Sequence, residues 1–341
     1  MSELHRADLL TADDEAAAVE QLHQLGCTDG LPVIVPTPER VERMVLAVGH
    51  PGETTLGQMG PLQGVCTVEK LAAAAVMAGC LPDHMPIVIA SMLAMMDPTF
   101  DLAEMQGTTH ATAPLIIVNG PAREMCGIAS GYGALGPGHR ANASIGRAVR
   151  LAMINIGGAR PGTSDMALLG HGGKFGQVLG EDEEHSAFTP LHTTRGFSPT
   201  DSTVTVIGTE PPQSVVHTAG SDADRSTERL LDTLAASLAG PGTNNAWLGG
   251  GQAVVVVTPD HRGELAAAGH DRTSVASAIV ERARTRDGRA AFDSPDDILV
   301  VAAGGAGLYS YVFPTWCAGG HRNRAVTVPV EIGQACAIPG M

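Results

Sequence analysis

Residues 130 to 150 read SGYGALGPGHRANASIGRAVR, with four glycines ahead of Arg140 and Asn142 and a fifth, Gly146, just before Arg147. A helix that begins here exposes unpaired N–H groups and a partial positive charge, which together favour an anion. Arginine adds bidentate capture of a carboxylate or phosphate. Arg140, Asn142 and Arg147 are therefore expected to bind the anionic group of a substrate; the alternative is a solvated basic helix face. The string lacks G-K-[ST], and no strand directly precedes a G-x-G-x-x-G, so it is neither nucleotide-binding fingerprint.

Three further groups could do chemistry. In GHGGKFG, Lys174 stands among glycines whose backbone can approach an oxyanion closely, or it is an exposed lysine on a turn. The run EDEEH (181 to 185), followed by His192 and His217, offers Glu184 and His192 as an acid and base pair or as ligands of a divalent metal. No H-E-x-x-H spacing supports a metal, and a charge run is also what a solvated turn looks like. His110, in QGTTHATAP, precedes an apolar run ending in Asn119-Gly120-Pro121 and suits a general base or a hydrogen-bonded core histidine. A serine nucleophile lacks its G-x-S-x-G elbow. The six cysteines stand singly, as inert buried thiols, nucleophiles or, gathered in space, iron–sulfur ligands.

The net charge of −15 disfavours nucleic acid and anionic membrane surfaces, leaving a small molecule as the expected partner. Charged residues are 17% of the chain, against roughly 25% in typical soluble domains. With 42 glycines and many alanines, that points to surface hidden in a homo-oligomer. The acidic, amphipathic start does not resemble a secretion signal, and unpaired cysteines suit a reducing compartment, so a cytoplasmic location is expected. No apolar run reaches the ~18 residues of a membrane span; MPIVIASMLAMM is a core segment closed by Asp97-Pro98.

Strand and helix signals alternate. LPVIV (31 to 35) reads as a buried strand before a helix capped by Thr37-Pro38 and stopped at Gly49; AVVVVTPDHRGELAAAG repeats the phrase from residue 253, either as a remote duplication or because such turns share cap residues. Further helices are expected from Thr67 to Gly79, from Asn142, over Ser221 to Ala239 and over Thr273 to Arg286. Strands are expected at 113 to 121, STVTVIG, AVVVV, DILVVAAGG and AVTVPVEIG. Residues 157 to 201 form an ordered loop region, and ILVVAAGGAGLYSYVFPTW places glycines after a strand, with Tyr309, Ser310, Tyr311 and Trp316 forming a pocket wall or a packed corner. The pattern predicts an α/β fold: a mostly parallel or mixed sheet with flanking helices, or two intimately packed α/β halves. The divisions are an N-terminal helical segment 1–27, a half 28–200 bearing the glycine-rich loops, and a half 201–341.

The strings QGTTHATAPLIIVNGP, GPGHRANASIGRAVRLAMINIGGARPG, GKFGQVLGEDEEHSAFTPLH and STVTVIG together resemble a little-characterised bacterial family associated with the UGSC-type (seleno)protein domain. The resemblance spans roughly residues 28 to 330 and implies one polar site from His110, Asn119, Gly120, Arg140, Asn142, Arg147, Asn155, Asp165, Lys174, Glu181, Glu184 and His192. Neither U-G-S-C nor C-G-S-C occurs here, which removes the basis for borrowing that domain's redox role. The resemblance names no activity and no cofactor.

The expected function is an enzyme acting on a small carboxylate or phosphate by acid–base chemistry, a lyase or hydratase-like reaction. Asn119, Arg140, Asn142 and Arg147 would bind substrate, and His110, His192, Glu184 and Lys174 would serve catalysis. The alternatives are a hydrolase with or without a metal, a thiol or iron–sulfur redox subunit working with a partner protein, and a non-catalytic ligand-binding subunit.

Overall fold

The computed structural model describes residues 7–316 and 323–331. Helices α1 (Glu15–Gln24) and α2 (Pro38–Leu46) lead to a hairpin of β1 (Thr55–Met59) and β2 (Gly64–Thr67), then to α3 (Val68–Ala78), α4 (Met85–Met96) and α5 (Leu102–Gly107). Next come β3 (Ala113–Asn119), α6 (Ala122–Met125), α7 (Arg140–Asn155), β4 (Val178–Gly180), α8 (Leu191–Thr194), β5 (Thr203–Thr209) and β6 (Gln213–Val216). The chain continues with α9 (Ala223–Leu238), α10 (Asn244–Trp247), β7 (Ala253–Val257), α11 (Pro259–Ala267), α12 (Arg272–Arg282), β8 (Ile298–Ala302), β9 (Tyr309–Phe313) and β10 (Val326–Pro329).

The fold is α/β with two mixed four-stranded sheets, ordered β10-β5-β3-β4 and β6-β9-β7-β8. Alternation of side chains along the strands assigns their faces. Leu115 and Ile117 of β3, Ile207 of β5, Val254 and Val256 of β7 and Leu299 and Val301 of β8 form one core between the sheets. On the outer face of the first sheet, Ile116, Val118, Val204 and Val206 pack with residues of α3, α4 and α7. On the outer face of the second, Val255, Val257 and Val300 pack with Leu230, Leu234, Leu265, Val275 and Ile279 of α9, α11 and α12. The result is a four-layer α/β/β/α stack, in which MPIVIASMLAMM is the buried helix α4.

The two sheets repeat one plan. β3 pairs parallel with β4 and antiparallel with β5; β7 pairs parallel with β8 and antiparallel with β9. The fourth strand of each unit is exchanged, since β6 pairs with β9 and β10 with β5. The sheets are thus mixed rather than mostly parallel, partly because the six residues between β8 and β9 are too few for a parallel crossover. The sequence boundary at 200/201 does not follow the sheets, because β5 and β10 both lie in the first.

The expected strand at 31 to 35 is instead irregular. Its carbonyls serve distant side chains: Arg147 takes those of Leu31 and Pro32, and Arg40 takes that of Val35. The repeat is therefore one of topology and does not pair 31–49 with 253–269. Two residues of the expected last strand, Ile332 and Gly333, lie outside the described residues, as do Cys317 and Cys336. Among the described residues no helix is long and apolar enough to cross a membrane.

Candidate functional site

The inter-sheet layer opens at one end into a cavity of about 620 Å³, within the range of small-molecule sites. One wall comes from β7 and β9, where Val256 pairs with Tyr311 so that both side chains face the other sheet. Ala303 and Gly304 after β8 close one side, at the carboxyl ends of two parallel strands. The opposite wall holds Leu179, the glycines of residues 131–136, and the segment from His171 to Gln177.

That segment contains a short 3-10 turn, and its Gly173 and Gly176 are required by close approach. A Cβ on Gly146 would lie 2.9 Å from Gly176 Cα, so the turn lies directly on the helix backbone. His171 Nδ1 accepts from the Gly173 N–H at 3.1 Å, which leaves the ring proton on Nε2. Nε2 is buried without a hydrogen-bond partner, and so are Gln177 Nε2 and Arg150 Nη2. All three atoms are donors. Gly173 lies between the first two side chains, because a Cβ there would run into Gln177 Cδ and lie 2.6 Å from His171 Cε1.

Behind Gly173 and Gln177, a narrow recess is lined by Arg150 and Lys174. Lys174 Nζ is 2.9 Å from Asp165 Oδ1 and also donates to the Thr112 carbonyl, while Arg150 Nη1 is 3.5 Å from Asp165 Oδ2. Two cations face one carboxylate. Burial, then Arg150, lowers the Lys174 pKa against the pull of Asp165. Burial, then Lys174 and Arg150, pushes His171 down to about 4 while the Ala111 carbonyl acts in the opposite sense, so the imidazole is neutral at pH 7. A neutral imidazole with its proton on Nε2 donates to an oxygen without carrying a buried charge.

His110 does not itself line the cavity; it lies one residue before Ala111, whose carbonyl acts on His171. Its Nδ1 is 3.1 Å from Glu210 Oε1, and Glu210 directly precedes Pro211, which lines the cavity. With Nδ1–H donating to the carboxylate, Nε2 keeps a lone pair, the arrangement of an oriented general base.

The other sequence-predicted residues have structural partners. Arg140 donates twice to the Gly79 carbonyl, and Asn142 is buried while bonding the backbone of Ala129, Ala134 and Val178. Arg147 grips Asp29 through two hydrogen bonds of 2.7 and 2.8 Å. None of the three lines the cavity, so the expected anion site at the helix start is replaced by backbone clamps. Asn119 donates to Glu181 and Glu183, and Glu181 also pairs with Arg272. Asp182 pairs with Arg262. The acidic run thus fastens the end of β4 to α11 and α12. Glu184 is paired to Arg123, whose hydrogen bond holds its carboxyl near 2, and its side chain is largely exposed. His192 is fully buried in α8 with both ring nitrogens unpartnered, away from the cavity lining. Among the described residues no group of three or more His, Cys, Asp or Glu is placed to hold a metal ion.

Trp316 belongs to the packed core rather than to a pocket wall, whereas Tyr309 and Tyr311 line the cavity. Ser310 Oγ lies 2.7 Å from His261 Nδ1, with His261 Nε2 3.1 Å from the His217 carbonyl, which resembles a nucleophile and its base. Ser310 borders the cavity, but its side chain is fully buried, alternates with the two tyrosines and shares the face of Val312, which packs under the helices. Its hydroxyl accepts from Thr258 N at the start of α11, so the pair anchors a helix. Burial pushes the Cys66 and Cys80 thiols up to about 12, which leaves them protonated at pH 7.

Comparison with protein-family models and with curated proteins gives no match. His171, Gln177, Arg150 and Glu210 therefore rest on geometry. The only sequence signal for the first two is the glycine-rich string GHGGKFGQ that holds them.

Proposed function

We propose that the protein is an enzyme that binds a small anionic molecule in the inter-sheet cavity and acts on it by proton transfer, in a lyase or hydratase-like reaction. The observation that carries this reading is the set of three buried, unpartnered donors around bare Gly173: His171 Nε2, Gln177 Nε2 and Arg150 Nη2. Each unmet buried donor costs about 1–3 kcal/mol, a cost removed by a ligand oxygen that accepts from it. His171 and Gln177 would donate to the anionic group, Arg150 and Lys174 would supply the positive field, and His110, oriented by Glu210, would move the proton. Such a constellation needs only a clamp for developing negative charge and one base.

The test has two parts. Acetate titrated into the full chain and followed by calorimetry should bind, and binding should weaken about 10- to 100-fold in Gln177→Leu or His171→Phe. A panel of short 2-hydroxy and 2,3-unsaturated carboxylates in D2O, followed by NMR, should then show exchange or interconversion that His110→Gln abolishes. Acetate binding that both cavity variants retain would remove the site from this wall.

The reading includes a homo-oligomer, supported by exposed Met166, Leu168, Leu169 and Phe175 around the same loop. Light scattering should give a mass above the 35.0 kDa chain.

A further inference from the structure

The chain has only three tyrosines. Tyr309 and Tyr311 line the cavity, and Tyr132 sits between two further lining residues, Gly131 and Gly133. A Cβ on Gly305 would collide with the Tyr132 ring, so that ring packs directly against the backbone of the loop that follows β8. All three rings are more than a third exposed, at 74%, 56% and 39% for Tyr132, Tyr309 and Tyr311. In a chain that is 3% aromatic, placing two of its three tyrosines on the cavity lining and the third beside it, each partly uncovered, is a feature that core packing does not require.

Tyr309 and Tyr311 stand two apart on one face of β9, about 7 Å from each other along the strand, and together floor this side of the cavity. Val256, Leu179, Leu135, Pro211 and Pro212 add apolar surface around them. The hydroxyl groups that would serve a polyol are already committed: Thr258 Oγ1 donates to the Tyr309 carbonyl and Ser310 Oγ is held by His261. The polar atoms without a partner lie at the Gly173 end, where two cations against one carboxylate suit a single negative charge.

We infer that the cavity takes an aromatic monocarboxylate, its ring on the Tyr309 and Tyr311 floor and its carboxylate on the His171 and Gln177 donors. This rests on the functional reading above for the carboxylate end and goes beyond it for the ring. The size agrees, since a ring acid of about 10–15 non-hydrogen atoms leaves room to spare in a pocket of this class.

The experiment compares benzoate, cyclohexanecarboxylate, glucuronate and acetate on the full chain by calorimetry. Benzoate should bind at least about tenfold more tightly than acetate and more tightly than the two saturated ring acids, through stacking on the tyrosines. Tyr311→Leu should remove most of that advantage while leaving acetate binding unchanged, Tyr311→Phe should keep it, and Gln177→Leu should weaken both acids. If acetate binds and benzoate binds no better, the ring inference fails and the anion site stands. Tighter binding of cyclohexanecarboxylate or glucuronate would also overturn it, in favour of an aliphatic or a sugar acid. If none of the four binds, the donor site itself is wrong, and the ring inference falls with it.

Discussion

Replacing Asp165 by asparagine should destabilise the protein far more than a typical polar substitution. Asp165 is the carboxylate facing Lys174 Nζ at 2.9 Å and Arg150 Nη1 at 3.5 Å, and the side chains of Asp165 and Arg150 are each 7% exposed. Removing it leaves two cations in a desolvated recess without a directly paired carboxylate, Asp29 acting on Arg150 only through the field. Breaking a buried pair in this way costs about 3–5 kcal/mol, much more than the intact pair contributes. An unfolding entropy of about 2.1 cal/mol/K per residue gives about 0.7 kcal/mol/K for 341 residues, so Tm should fall by about 4–7 °C. Differential scanning calorimetry of wild type and Asp165→Asn measures this directly. Acetate should raise the variant's Tm more than the wild type's, because the added anion returns negative charge to the recess. A variant melting within about 1 °C of wild type would refute the reasoning, since it would mean that the two cations are solvated or do not depend on Asp165.

Gly173→Ala, at a position without a left-handed φ, should abolish acetate binding with a smaller drop in Tm than a broken buried ion pair gives, because the methyl group would push the buried Gln177 side chain aside and crowd His171; a calorimetric titration alongside a melt checks both. Arg147→Ala should do the reverse, losing about 3 kcal/mol by stranding buried Asp29 while acetate still binds, as urea unfolding would measure. Stability should fall as pH drops from about 6.5 towards 4: His171 and His84 are both held near 4 by burial, so the unfolded chain binds more protons across that window. Melts in that range should show a shallower slope for His171→Phe.

Much of the architecture was legible in the sequence because it rests on local rules. Thr37-Pro38 caps a helix as expected, a helix follows Thr67, the runs at Ala113–Asn119 and Ala253–Val257 are buried strands, and Gly304 after DILVVA borders the cavity. Periodicity and cap chemistry act over a few residues and can be read from one stretch at a time. The string LPVIV misled because its backbone is claimed by Arg147, more than a hundred positions away.

The roles of the polar residues depended on the tertiary structure. Arg147 and Arg150 occur on the same helix, three residues apart, and composition alone treats them alike. Folding gives Arg147 a carboxylate 118 positions away and leaves Arg150 with an unpartnered nitrogen beside a turn that arrives from residue 174. The run EDEEH has the composition of a catalytic or metal cluster, yet Arg262 and Arg272 from the second sheet's helices neutralise Asp182 and Glu181. A side chain's chemistry is set by what desolvates it and what charge stands within a few ångströms, and in this fold those neighbours come from distant parts of the chain. Sequence determined which groups were present and which elements carried them; laying the 171–177 turn against helix α7 decided which donors were left without a partner.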